Sequence, residues 1–322
     1  MARPADSPDL RLISKVSALY YNHECTQQEI ANRLELSRPK VSRLLKQAKE
    51  HGIVKIKVSY PKGNFVELES NLEQKYDLNE VLIVESSSDG SEADNSLLKS
   101  QLGTAAAKHL ARTVADNDII GVTWGTTLQA MVDMMPLVQT NDVHVVQMLG
   151  GFGPPEAKAH AMDISRRLSQ SLNSGLTLLQ SPGIVDSPEI KEVLIADRRV
   201  KSAFQLFPKV NKAYVGIGAI STNRVLQKEN TEVSNDLQQE IYDSNAVGDI
   251  GLNFFDSQGK IVKTSLQERF IGMDLNQLKK VKTVVGIAGG KEKLEAIKGV
   301  LAGRYIHVLI TDNLIAQHLL DD

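Results

Sequence analysis

The sequence predicts an α/β protein of two domains, a small N-terminal winged helix-turn-helix domain and a larger doubly wound α/β domain. Three observations carry that reading. A capped helical hairpin lies between Thr26 and Lys46, the charge changes sign along the chain, and from about Asp77 nearly continuous apolar runs alternate with helical segments. The boundaries they imply are 1–60 for the helix-turn-helix domain, 61–76 for a connector helix and 77–322 for a ligand-binding effector domain.

The first domain opens with Leu10 to Tyr21, where Leu12, Ile13, Val16, Leu19 and Tyr20 form one apolar stripe at helical spacing. In TQQEIANRLELSRPKVSRLLK, Thr26 stands three residues before Glu29, the spacing of a reciprocal helix cap. Ile30, Leu34, Leu36, Val41 and Leu44 supply buried contacts, and Ala31 is small where two helices must cross. Ser37 caps the second helix, and Pro39 falls in its first turn, where a missing amide hydrogen is tolerated. Glu35 takes the turn position where such hairpins commonly have glycine. A left-handed conformation there would cost a non-glycine residue roughly 1 kcal/mol, so a longer turn is the alternative.

The residues left facing outward are Ser37, Arg38, Lys40, Ser42, Arg43 and Lys46. Arg and Ser side chains donate to guanine edges and phosphates, and a helix start attracts phosphate through its unpaired amides. Ser37, Arg38, Lys40 and Arg43 are therefore expected to read double-stranded DNA, with Ser42 beside them. Charge agrees: residues 1–60 hold eleven Lys and Arg against six Asp and Glu, whereas the whole chain is −2. After His51-Gly52, the run IVKIKVSY alternates lysines with apolar residues and is predicted to be a wing, with Lys55 and Lys57 on the phosphate backbone. An amphipathic hairpin with a merely solvated basic face is the competing reading.

Pro61-Lys62-Gly63 breaks the chain, and Phe65, Leu68, Leu72 and Tyr76 then repeat at helical spacing. This helix is a candidate connector and dimer contact, or equally a helix docked on the larger domain. Beyond it, the predicted strands are VLIVES, IIGVTW, VHVVQML, LTLLQ, KAYVGIGAI, TVVGIAG and IHVLITD. Their unbroken apolar character is that of parallel strands covered on both faces. Helices are expected at 97–114, 126–134, 158–172, 189–196, 293–301 and 314–320.

In an open parallel sheet, ligands bind beyond the carboxyl ends of the strands. The run IIGVTWGTT leads a strand into Gly125, Thr126 and Thr127 and then a helix, which makes an anion cradle of amides and hydroxyls. It lacks the lysine of a P-loop and the full dinucleotide fingerprint, so a small phosphorylated or carboxylated ligand fits better than a nucleotide. Gly150 and Gly151, Gly216 to Gly218, and Gly289 and Gly290 end further strands in flexible loops on the same predicted edge. Lys293 is the best side-chain partner for a phosphate, and Asp249 could accept from sugar hydroxyls. The plainer alternatives are a tight turn at Gly125, a solvated Lys293 and a turn-forming Asp249.

The single cysteine, Cys25, excludes an internal disulfide and fits a reducing cytoplasm. Seven scattered histidines show no metal-ligand spacing, and no apolar run approaches the length that spans a bilayer. No cofactor, metal or membrane partner is expected.

The segments TQQEIANRLELSRPKVSRLLKQAKEHGIVKIKV, GVTWGTT, GDIGLNFFDSQGKIV, RFIGMDLNQLKKV and VVGIAGGKEKLEAIKGVLAGRYIHVLITD together resemble the SorC family of sugar-responsive bacterial transcriptional regulators over nearly the whole length. The resemblance implies an effector domain similar to ribose-phosphate isomerase and glucosamine-phosphate deaminase, which binds a phosphorylated sugar and alters operator affinity. Thr126, Thr127, Asp249 and Lys293 match effector-contact positions. Some relatives hold their ligand through a lysine Schiff base, and no lysine here stands at a matching motif. The implied protein is a repressor or activator acting as a homodimer or homotetramer. A sugar-phosphate isomerase or deaminase-like enzyme is the competing class, but acid/base work would need a second catalytic group at a strand end, and none stands out. Also open is an architectural DNA-binding protein whose effector domain is vestigial.

Overall fold

The computed structural model describes residues 9–56, 64–86, 92–151, 155–222 and 235–321. The chain divides into two units, Met1–Lys62 and Gly63–Asp322.

In the first unit, helix α1 (Leu10–Ser17) continues into one wide π turn, Ala18–Asn22. Helices α2 (Gln27–Leu34) and α3 (Arg38–Glu50) follow. The reciprocal cap is formed: the Thr26 hydroxyl accepts from the Glu29 amide at 3.3 Å, and the Thr26 amide donates to Glu29 Oε2 at 2.8 Å. The Thr26 amide, and the Thr26 hydroxyl that also donates to Glu29 Oε2 at 3.0 Å, hold the Glu29 carboxyl below its ordinary range. Ile13, Val16, Ile30, Val41 and Ala48 are fully enclosed in one small core. The turn between α2 and α3 is the short one, because Glu35 itself adopts the left-handed conformation (φ 54, ψ 41) and donates its amide to the Ala31 carbonyl.

The described part of the predicted wing is not a strand. Val54 donates to the Ala48 carbonyl at 3.0 Å and packs against the core, folding the chain back onto the end of α3. Lys57 to Tyr60 lie outside the described residues.

The second unit begins with α4 (Val66–Tyr76), which is packed into that unit instead of standing apart as a connector. Leu72 is fully buried, and the Tyr76 hydroxyl donates to the Leu319 carbonyl at 2.8 Å. Its carboxylates have a further task. Strand β1 (Glu80–Val84) lies at the sheet edge, and Glu73 and Glu69 accept from its Val81 and Ile83 amides, both at 2.9 Å. Edge amides that could recruit another strand are thereby covered.

Then come α5 (Glu92–Thr113), β2 (Ile119–Val122), α6 (Thr126–Asp133), β3 (His144–Gln147), α7 (Pro155–Ser171) and β4 (Gly175–Thr177). Helices α8 (Pro188–Ala196) and α9 (Arg198–Leu206) precede β5 (Lys212–Gly216) and β6 (Gly218–Ala219). Next are α10 (Asn235–Asp243), β7 (Ala246–Ile250), β8 (Asn253–Asp256), α11 (Leu266–Arg269) and α12 (Leu275–Leu278). The chain closes with β9 (Thr283–Ile287), α13 (Leu294–Ala302), β10 (Val308–Asp312) and α14 (Asn313–Asp321).

Among the described residues the main sheet has seven strands in the order β1-β10-β9-β5-β2-β3-β4, every neighbour parallel. One face buries Ile120, Val145 and Ile310 under α5, α6 and α7, with Leu128 of α6 in the same core. The other buries Val146, Val215, Val284 and Leu309 with α13 and α14 among its cover. A second, antiparallel sheet β6-β7-β8 was not legible as strands in GDIGLNFFDSQG, because its glycines interrupt the alternation that marks a strand. Helix α9 was likewise missed, since its charged start hides a short apolar stripe around Val200 and Ala203.

Candidate functional site

Parallel strands all present their carboxyl ends at one edge, so the order β9-β5-β2-β3 puts the loops after these adjacent strands in one row. The glycine loops read from the sequence are those loops.

Gly125 starts α6 at φ 138, a conformation few other residues adopt, and open space lies where its side chain would be. It offers no side-chain cap. The first amides of α6 have no partner within the helix, and the exposed Thr126 and half-buried Thr127 stand in that same first turn. A helix start left in this state attracts an anion through amide dipoles and hydrogen bonds together.

Lys293 lies half-buried just before α13. Burial lowers its pKa from the ordinary lysine value, and the neighbouring Asp249 carboxylate opposes that shift. The two come together because β7 packs tightly on α13: a Cβ on Gly248 would stand 2.5 Å from the Cβ of Ala296. Asp249 is buried in β7 opposite Gly218, and its Oδ2 accepts from the Leu252 amide at 2.9 Å. Gly218 is needed there for space, since any side chain would run into the Asp249 carboxylate.

Gly289 and Gly290 are held by a residue the sequence reading did not single out. Asp312 ends β10, 1% exposed, and accepts from the Gly290 amide at 2.7 Å through one oxygen and from Leu314 and Ile315 at 2.9 Å through the other. It joins the glycine loop to the start of α14. An aspartate closing an apolar strand directly before a helix was the available signal.

Gly150 and Gly151 behave differently from the expectation. Their amides donate to the Ile271 and Ser181 carbonyls at 3.1 and 2.9 Å, and Gly150 lies against the Pro182 backbone. They serve a close approach of two chain segments and present no spare amide to a ligand.

In the first unit, Ser37, Arg38, Lys40, Ser42 and Arg43 are all exposed on α3, opposite the buried Val41, Leu44 and Leu45. Ser37 caps the helix, accepting from Lys40 at 3.4 Å. Lys55 is exposed beyond the end of α3. Gln27 and Gln28, which the sequence reading did not single out, line one surface hollow together with Arg38. No helix among the described residues is long and apolar enough to cross a membrane.

Comparison with known proteins places this architecture. Residues 60–321 match the Sugar-bind family model, a sugar-binding domain, and residues 16–61 match the MarR family model. The chain is 32% identical over 317 residues to the deoxyribonucleoside regulator of Bacillus subtilis (strain 168), covering 98% of this chain and 99% of the relative. It is 32% identical over 320 residues to the sorbitol operon regulator of Klebsiella pneumoniae, covering 98% and 99%. The crystal structure of the full-length sorbitol operon regulator SorC from Klebsiella pneumoniae superposes with a TM-score of 0.73 at 31% identity, over 98% of this chain and all of that one.

Proposed function

As the chain belongs to the SorC family of sugar-responsive transcriptional regulators, we propose that it binds operator DNA through α3 and that a phosphorylated sugar at the carboxyl edge of the main sheet sets the affinity. Its relatives and structural neighbours are transcriptional regulators, not enzymes. Arg38 and Arg43 read base edges, with Ser37, Lys40 and Ser42 on the backbone or neighbouring bases and Lys55 on phosphate. Paired half-sites call for a homodimer or homotetramer.

The observation that carries the ligand reading is that an uncapped α6 follows β2 and Lys293 follows β9 at the same carboxyl edge of the main sheet, with Asp249 neighbouring Lys293. The α6 start takes the phosphate dianion. Strands β2 and β9 are separated only by β5, so their carboxyl ends lie about two strand spacings, roughly 10 Å, apart, and Lys293, on the segment after β9, is the cation assigned to the phosphate. Asp249 accepts from a sugar hydroxyl. Such a ligand is recognised at both ends without a metal or cofactor.

A thermal-shift screen of sugar phosphates against their free sugars tests this. A ligand held at 100 times its dissociation constant should stabilise the chain by about 2.7 kcal/mol. Equal shifts from a sugar and its phosphate ester would overturn the phosphate assignment.

A further inference from the structure

Gln147 closes β3, directly opposite Val122 of β2. Alternation along β3 puts it on the same face as Val145, the face covered by α5, α6 and α7, and its place at the strand's end puts it at the carboxyl edge, where the neighbouring β2 leads into α6. It is 2% exposed. Its Nε2 donates to the Leu149 carbonyl at 2.7 Å, which fixes which way the amide points, because turning it over would set two oxygens against each other. Its Oε1 is buried without a hydrogen-bond partner.

A buried acceptor left unpaired destabilises the fold, and such groups are rare enough that each calls for a reason. An apolar side chain at this position would carry no such penalty. The topology supplies a reason: Gln147 lies opposite Val122, the last residue of β2, and β2 leads directly into the α6 start proposed to take an anion.

We propose that Gln147 Oε1 accepts a hydrogen bond from a ligand hydroxyl close to the phosphate-bearing carbon. This rests on the phosphate reading of α6 and adds a selection rule to it. The effector is then a phosphate ester with a hydroxyl near the ester oxygen, and an analogue lacking that hydroxyl is discriminated against. Hydrogen bonding of this kind distinguishes ligands that charge alone would treat alike.

The test uses small probes on the full chain: inorganic phosphate, propyl phosphate and glycerol 3-phosphate, titrated by calorimetry or thermal shift. Glycerol 3-phosphate should bind the native chain about five- to tenfold more tightly than propyl phosphate, the worth of one neutral hydrogen bond. In Gln147→Met that ratio should fall to about one while propyl phosphate keeps its native affinity, as expected when one partner of a coupled pair is removed. Gln147→Asn, whose amide is one methylene short, should show the same collapse and guards against misfolding of the first variant. An unchanged ratio in the folded variants, or no preference in the native chain, overturns the role of Gln147 and leaves the phosphate site standing. Failure of all three probes to bind the native chain removes the phosphate site, and this proposal with it.

Discussion

The proposed DNA-reading surface comes from one contiguous stretch, Ser37 to Arg43, displayed on a single exposed helix, whereas the proposed effector site gathers Gly125, Thr126, Thr127, Asp249 and Lys293 from three separate segments of the chain. The first is built by local rules: a cap, a proline in the first turn and a buried stripe orient every contact. The second is built by topology: the parallel order β9-β5-β2 puts the segments of Gly125 and Lys293 at one edge, and the pairing of β6 with β7 positions Asp249. Changes in the reading helix should therefore act singly, whereas changes at the edge should spread through shared supports.

The largest expected effect tests that spread. Asp312→Ala removes the acceptor of three backbone amides in a buried place. Hydrogen bonds to a charged group contribute about 1.5–3 kcal/mol each, so the larger unit should lose at least about 3 kcal/mol in denaturant unfolding. Effector response should fall with it while operator affinity of the folded fraction stays. A variant with native stability and native response would show that the glycine loop does not depend on this support.

On the reading helix, Arg38→Ala and Arg43→Ala should each cost about 1–3 kcal/mol at the operator and relax specificity at one base position. Lys55→Ala should weaken all sequences alike. Competition assays against random DNA decide this, and equal losses on both DNAs for the arginine variants would count against base reading.

How far each surface was legible follows from the same contrast. Thr26, Glu29, Ser37 and Pro39 act over three residues, so the hairpin could be read directly, and only the conformation of Glu35 was left open. The seven parallel strands were marked by their apolar runs. Gly125 was legible because it ends a strand and starts a helix within a few residues. Asp312 and Gln147 were not, because their roles depend on which loop and which helix start lie beside them. The hairpin carrying Asp249 was also hidden, its strands being short and glycine-bearing. Gly150 and Gly151 looked like ligand loops but are occupied by neighbouring backbone, a pairing that no local pattern signals.

A pH series sharpens the comparison further. Burial lowers the Lys293 pKa, so the folded chain gives up this proton before the unfolded chain does. The contribution of Lys293 to stability is then present above the ordinary lysine value and lost as pH falls through the lowered one. Effector binding has the opposite sign, because a phosphate favours the ammonium form: affinity should drop as pH rises through that same window, with proton uptake on binding. Calorimetry in buffers of different ionisation enthalpy measures the uptake, and its absence would place Lys293 away from the phosphate.

The smallest effect belongs to the hairpin turn. Glu35→Gly relieves a left-handed non-glycine residue and should stabilise the first unit by up to about 1 kcal/mol, with operator specificity unchanged. A loss of stability on thermal unfolding would mean that the Glu35 side chain holds the turn in place.

The linkage between the two surfaces is tested most directly by titrating operator DNA with the native chain and with Lys293→Ala, each without effector and at one fixed concentration of the sugar phosphate found by screening. Both proteins should bind DNA equally without effector. At the fixed concentration the native affinity should change, while Lys293→Ala, binding the phosphate about tenfold more weakly, should keep most of its effector-free affinity. A Lys293→Ala chain that responds like the native one would contradict a phosphate-holding site at this edge.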